Sequence, residues 1–131
     1  MKLRHWSRQW HGGRYPSVND WYETVKLNYG IDYCGGGTKH FSPVPSTWKK
    51  MTQILLFWCK KGIDAFRCDM AEMVPAEFWN FATQEVKKSY PHVKFIAEVY
   101  NPAEYRRYIR SGFDYLYDKV GMYDCIRDVI C

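Results

Sequence analysis

This sequence predicts an α/β fold built on a parallel sheet, and three observations lead to it. From Ser46 onward, helical and strand patterns alternate as α-β-α-β-α-β-α, an order that gives parallel strands joined by right-handed crossovers. The run VKFIAEV, Val93 to Val99, is nearly continuous in apolar residues, which suits a strand buried on both faces. With 131 residues, 47% of them apolar and 25% charged, the chain has the make-up of one modest globular domain with a core.

Residues 1–45 are rich in Gly, Pro, Tyr and Trp and read as an irregular segment with one strand, around Thr24 to Asn28. Within it, CGGGTKH hints at a phosphate loop but lacks the Gly-Lys-Ser/Thr order, and its glycines point to a flexible loop. Residues 46–131 form the regular part. Ser46 can cap a helix through TWKKMTQILLFWCKK, with Met51, Ile54, Leu55 and Trp58 on one face, and Gly62 is placed to end it. The first strand is Ile63 to Asp69. Pro75 suits the first turn of a second helix, whose face carries Phe78, Phe81, Ala82 and Val86. The second strand follows, Val93 to Tyr100. Asn101-Pro102-Ala103-Glu104 combines a capping Asn, a Pro at the first helical position and a Glu at the third, so a third helix runs from there to about Arg110, with Gly112 ending it. Phe113 to Asp118 is the third strand, and Met122 to Ile130 a last helix. Trp48, Trp58, Phe78 and Phe81 fit packing between helices and sheet.

Composition narrows the function classes. No apolar run approaches a membrane span, and the start MKLRHWSRQWHGG is basic without the apolar stretch of a secretory signal. The net charge is +5, yet the cations fall in doublets at Lys49–Lys50, Lys60–Lys61 and Lys87–Lys88 rather than in a block. They read as solvated helix faces, and no nucleic-acid motif accompanies them. Cys34, Cys59, Cys68, Cys125 and Cys131 show no ligand spacing and read as free thiols, several of them buried. His5, His11, His40 and His92 likewise lack metal-ligand spacing and read as surface or loop residues.

The chemistry points to GIDAFRCDMAEM, Gly62 to Met73. Arg67 and Asp69 are two residues apart, so a strand points both to one face, and Asp69 falls at its C-terminal end. Glu98 falls at the C-terminal end of the next strand. Parallel strands put such ends on one rim, where α/β folds carry their chemistry. Neighbouring strands lie about 4.8 Å apart, which brings two carboxyl groups near the roughly 5–5.5 Å used by a double-displacement glycosidase. Arg67 is placed to keep Asp69 ionised. Glu98 follows Phe95, Ile96 and Ala97 with no cation beside it in sequence, and a partly apolar setting would raise its pKa. An acid and a nucleophile is one reading. Helix caps or surface charges are the other, and spacing alone leaves both open.

These residues carry a resemblance. GIDAFRCDMAEM resembles the second conserved region of the α-amylase family of glycoside hydrolases, G-x-D-x-x-R-x-D, through Gly62, Asp64, Arg67 and Asp69. FIAEVY, Phe95 to Tyr100, resembles the third region, an apolar strand ending in Glu. VKLNYG, Val25 to Gly30, resembles the segment leading out of the family's inserted B domain, so residues 1–45 correspond to the end of that domain. FDYLYDKVGMYDCIRDVI is similar to the stretch after the next helix in some bacterial members. The resemblance implies a partial (β/α)8 TIM barrel, about three βα units holding strands four to six. It implies Asp69 as nucleophile, Glu98 as acid/base, Arg67 as the residue that steadies the nucleophile, and α-linked glucan oligosaccharides or polysaccharides as substrates, handled with retention.

The chain departs from the family pattern too. A whole barrel takes about 250 residues, and the family's first region and the Asn-His-Asp fourth region have no counterpart here. The isolated chain is therefore expected to be inactive or nearly so, and to associate through exposed barrel edges. Glu72 and Met73 stand where many members have Lys and His. No cofactor is expected, and any calcium would belong to the full-length protein. Asp64, on the opposite strand face, and Asp118 read as structural. Trp6, Trp10, Trp21, Tyr22 and Tyr100 are candidates to stack on sugar rings, Tyr100 foremost because it shares a face with Glu98. The alternative function is a non-catalytic glucan-binding module on the same scaffold; neither a nucleic acid nor a membrane is an expected partner.

Overall fold

The glycine run after Tyr33 forms a turn closed by Asp32. The computed structural model describes residues 27–33 and 35–130, in two units, Met1–Thr47 and Trp48–Cys131. In the first, β1 (Ile31–Asp32) and β2 (Thr38–Lys39) pair antiparallel, with Ile31 opposite Lys39. Between them the Asp32 carbonyl accepts the N–H groups of Gly35 (3.3 Å) and Gly37 (2.8 Å). Those two amides are thus already engaged within the turn. The strand expected around Thr24 to Asn28 falls largely outside the described residues, and Leu27 and Asn28 are not in a strand. The readings of Trp6, Trp10, Trp21, Tyr22, His5, His11, Cys34 and Cys131 also lie outside them.

The second unit is an α/β fold on a three-stranded parallel sheet. α1 (Ser46–Cys59) leads to β3 (Ala65–Cys68), α2 (Ala76–Ser89), β4 (Lys94–Ala97), α3 (Tyr105–Arg110), β5 (Tyr115–Leu116) and α4 (Asp124–Ile130). The strand order is β3-β4-β5, both pairings parallel. Short turns complete the elements: a 3-10 turn at Ala71–Met73, another at Pro102–Glu104, and a π turn at Lys119–Tyr123 that delays the last helix to Asp124. Asn101 caps as its sequence indicates, its side chain accepting the Ala103 N–H at 3.1 Å.

One face of the sheet carries the core. Val93, Phe95, Ala97 and Val99 are almost wholly buried, whereas Lys94, Ile96, Glu98 and Tyr100 alternate with them on a more open face. The expectation of a strand buried on both faces is thus corrected. Rings connect the covered side: Trp48 meets Phe78, Phe78 meets Trp79, Trp79 meets Phe113, and Phe113 meets Phe95, with centroids 5.0–6.4 Å apart. α2 buries Phe78, Ala82 and Val86 as expected, with Trp79 in addition. The Trp79 indole N–H donates to the Ala71 carbonyl at 3.0 Å, so a polar ring edge is accommodated within the core. In α1 the buried positions are Trp48, Thr52 and Cys59, and Ile54 and Trp58 are about half exposed. That corrects the inner face predicted for α1 and the packing role of Trp58: the apolar stripe is wider than one face, and the buried face is rotated by about one residue.

The N-terminal ends of the strands are tied by Asp114. Its Oδ2 accepts from the Phe95 N–H (2.9 Å) and from Lys87 Nζ (2.9 Å), and Lys94 Nζ lies 3.5 Å from Oδ1. Lys87 is therefore a half-buried ion-pair partner rather than a solvated cation. At Gly112 the backbone has φ 103°, and a Cβ there would overlap Thr83 Oγ1, which itself bonds the Ser111 carbonyl at 3.1 Å. No helix among the described residues is long and apolar enough to cross a membrane.

Candidate active site

Register decides what stands at the C-terminal rim. Cys68 pairs with Ala97, and Ala97 with Leu116. One residue further, Asp69, Glu98 and Tyr117 therefore stand level on three adjacent strand ends. Backbone bonds carry the ladder past the strands: Glu98 N donates to Cys68 O (3.0 Å), Ala71 N to Glu98 O (3.0 Å) and Tyr117 N to Ala97 O (3.0 Å).

Arg67 sits one pleat below Asp69 and spans both carboxylates. One Nη hydrogen-bonds Asp69 Oδ1, and the other lies 3.0 Å from Glu98 Oε1. The Arg67 guanidinium carbon lies 5.7 Å from the centre of the Tyr117 ring. Asp69 is about half exposed, while Glu98 retains 16% of its side-chain exposure.

Glu98 is held by polar partners on both oxygens. Tyr100 O–H donates to Oε1 at 2.9 Å, and the backbone N–H of Met70 donates to Oε2 at 3.1 Å. Met70 reaches that position in the left-handed conformation, φ 46°, which is uncommon for a residue with a side chain. The partly apolar setting expected for Glu98 is thus corrected to a polar one. Arg67, distant in sequence, arrives through strand pairing. Tyr100 touches the carboxylate itself.

The electrostatics differ between the groups. The Asp69 carboxyl is held below the ordinary aspartate range, first by a hydrogen bond shared with Glu98, and further by the hydrogen bond and charge of Arg67, against partial desolvation. The Tyr100 hydroxyl is pushed up, chiefly because it donates to Glu98. Directly beneath, burial pushes the Cys68 thiol up to about 12, so it stays protonated.

Other sequence candidates lie elsewhere. Asp118 accepts from Tyr105 O–H (3.3 Å) and from the Gly121 N–H (2.8 Å), shaping the turn after β5. The Asp64 carbonyl accepts the Lys94 N–H at 2.9 Å, at the opposite end of the sheet. Glu72 Oε2 accepts the Asn101 N–H at 3.2 Å, joining the loops after β3 and β4. Beneath this, Tyr108 O–H donates to the carbonyls of Glu72 and Val74, each at 3.0 Å. Among the described residues, no three His, Cys, Asp or Glu side chains gather as a metal-ligand set. Sequence reasoning missed Tyr117 and the Met70 amide. The first becomes visible only once the register of three strands is known, and the second depends on a backbone conformation that no residue type announces.

Solved α-amylases share this architecture. The chain aligns with an α-amylase from Lactobacillus plantarum at 25% identity and a TM-score of 0.63, covering 94% of this chain and 28% of that one. A maltogenic α-amylase from Thermotoga neapolitana aligns at 28% identity and a TM-score of 0.53, over 72% and 21%. In sequence, the α-1,4-glucan:maltose-1-phosphate maltosyltransferase of Cereibacter sphaeroides is 32% identical over 75 residues, 56% of this chain and 13% of that protein. The protein of the same name in Pseudomonas aeruginosa is 32% identical over 75 residues, 56% and 11%. The chain thus spans a small part of the length of these relatives, and no family model matches it. Sequence relatives and solved structures point the same way: what this chain resembles is the α-amylase family of glycoside hydrolases.

Proposed function

We propose that this chain is a piece of the catalytic barrel of a retaining enzyme acting on α-linked glucans, with Asp69 as nucleophile and Glu98 as acid/base. Its three parallel strands would be the fourth, fifth and sixth of that barrel. The observation that carries the reading is the register: Asp69 and Glu98 close adjacent parallel strands at one level, with Arg67 reaching both. The named activities of the α-amylases and maltosyltransferases it resembles support α-glucans as the substrate class.

In this reading the Asp69 carboxylate attacks the anomeric carbon as the glycosidic C–O bond breaks, and the Glu98 proton passes to the departing oxygen. Glu98 then takes a proton from a water molecule, whose oxygen attacks the anomeric carbon and releases Asp69. Arg67 favours the ionised nucleophile before attack and again as it departs. By the family resemblance, a third acid, the Asp of the Asn-His-Asp region, belongs to a strand outside this chain. Removing a preorganised charge from such a site costs about 10²–10³ in rate, so the isolated chain is read as inactive or nearly so.

The test uses the full-length protein and a chromogenic maltooligosaccharide. Cleavage with net retention at the anomeric carbon, abolished by Asp69→Asn, is the expected result; unimpaired turnover by that variant would refute the assignment of the nucleophile. Binding of amylopectin in a gel-shift assay with no turnover of any glucan would favour the non-catalytic binding module instead. The maltosyltransferase relatives favour a second reading of the same site, in which another sugar replaces water in the second step. Elongated glucans without new reducing ends would identify it.

A further inference from the structure

We infer that Tyr117 is a positioning residue whose ring holds the Arg67 guanidinium across the gap between Asp69 and Glu98. The inference rests on reading those two carboxylates as the catalytic pair and adds a member on the third strand. Tyr117 is fixed there by its backbone, because its N–H donates to the Ala97 carbonyl at 3.0 Å. Its register places it level with Glu98 and Asp69. The ring lies 5.7 Å from the Arg67 guanidinium carbon, within the range of cation–π attraction, and a planar guanidinium is well suited to an aromatic face. Tyr117 remains 45% exposed, so filling the core does not account for it.

The chemistry gives this contact a purpose. Arg67 is a long side chain with about half its surface in solvent, and what holds it above the strand is charge on two carboxylates. Those charges change during a double displacement: Asp69 becomes an ester, and Glu98 gives up and recovers a proton. At the glycosyl-enzyme stage the guanidinium loses its ionic partner at Asp69. The Tyr117 ring does not change with the charge state of its neighbours. It keeps the guanidinium in place for the second half of the cycle, when Asp69 must leave as a carboxylate.

The test compares Tyr117→Leu and Tyr117→Phe in the full-length protein, alone and with Arg67→Lys. Loss of the ring in Tyr117→Leu is expected to lower kcat on a maltooligosaccharide about tenfold with little change in KM, and Tyr117→Phe to recover turnover to within about threefold. The acid limb of the kcat/KM profile should move to higher pH in Tyr117→Leu. In the Arg67→Lys background the same substitution should cost less than about twofold, because the two residues act through one interaction. A tenfold loss persisting in that background, or full kcat in Tyr117→Leu, would overturn the proposal. Tyr117→Gln provides a second ring-free variant if the leucine does not fold. A crystal structure of either ring-free variant trapped as its glycosyl-enzyme decides independently of turnover: Arg67 turned away from the gap between Asp69 and Glu98 supports the inference, and Arg67 still held there sinks it. A wild-type protein inactive on α-glucans would count against the functional reading alone.

Discussion

Met70 donates its backbone N–H to Oε2 of Glu98 across 3.1 Å, from a left-handed conformation directly after Asp69. The residue following one carboxylate thus orients the other, and the two Glu98 oxygens are met by Met70, Tyr100 and Arg67.

That surrounding shapes the behaviour of Glu98→Gln. Whichever way a glutamine side chain turned, its amide nitrogen would face either the Met70 N–H or the Arg67 guanidinium, neither of which can accept, so the variant loses orientation as well as its proton. Turnover of an unactivated α-glucan is expected to fall by about 10²–10⁴. An aryl maltoside with an acidic leaving group, which needs little protonation, should lose much less in its first step. Equal losses on both substrates, measured by steady-state and burst kinetics, would remove Glu98 from the role of acid.

Arg67→Met tests the electrostatics of Asp69. The carboxyl is held low first by the hydrogen bond with Glu98 and then by Arg67, so removing the guanidinium releases only part of the depression. The carboxyl then titrates closer to its ordinary value, and the acid limb of kcat/KM moves to higher pH. An unmoved limb in a pH profile would show that Arg67 does not act on the nucleophile.

Asp114→Asn is expected to destabilise the fold by about 1–3 kcal/mol at pH 7 through lost charge-assisted hydrogen bonds. Burial opposes ionisation of Asp114, but Lys87 and the Phe95 N–H outweigh it and hold the carboxyl below its usual range. The stabilisation is present in full above the unfolded-state value and is lost as pH falls through the folded one. The difference in Tm between variant and wild type should therefore shrink towards pH 3, as differential scanning calorimetry of the full-length protein would show.

At Gly112 an alanine would have to adopt φ 103° while its Cβ overlaps Thr83 Oγ1. Strain and overpacking together should cost about 2–4 kcal/mol. Chemical denaturation of Gly112→Ala gives the figure, and a paired Thr83→Ala should recover part of it.

Expressed by itself, the chain is expected to self-associate. Ile54, Phe57 and Trp58 on α1 are each about half exposed, and Val129 and Ile130 on α4 more so; β3 pairs only with β4 among the described residues. Light scattering that reports a monodisperse monomer would contradict this.

Much of the second unit was legible in the sequence because its punctuation is local. Gly62, Pro75, Asn101 and Gly112 mark element ends through their own backbone chemistry, and alternating helices and strands imply parallel pairing. Asp69 and Glu98 could be found for the same reason: each ends its own apolar strand. What stayed hidden depends on partners. Seven apolar residues crowd the second half of α1 in MTQILLFWC, and only the position of Phe78 and its neighbours decides that Trp48, Thr52 and Cys59 turn inward. The contact between Arg67 and Glu98, and the level position of Tyr117, need the register of separate strands. Lys87 looks like any surface cation until Asp114 is brought beneath it.

The central strand β4 is clasped at both extremities by side-chain and main-chain bonds from its flanking neighbours: Asp114 grips the amide of Phe95 at one end, and Glu98 takes the amide of Met70 at the other. Sliding β4 by a single residue would break both clasps at once and turn Glu98 away from Asp69. The gap between the two acids is thereby set by a mechanical stop at each end of the strand, one of which, Met70, belongs to the loop after β3 and ties the opening of that loop to the spacing on which the proposed chemistry depends.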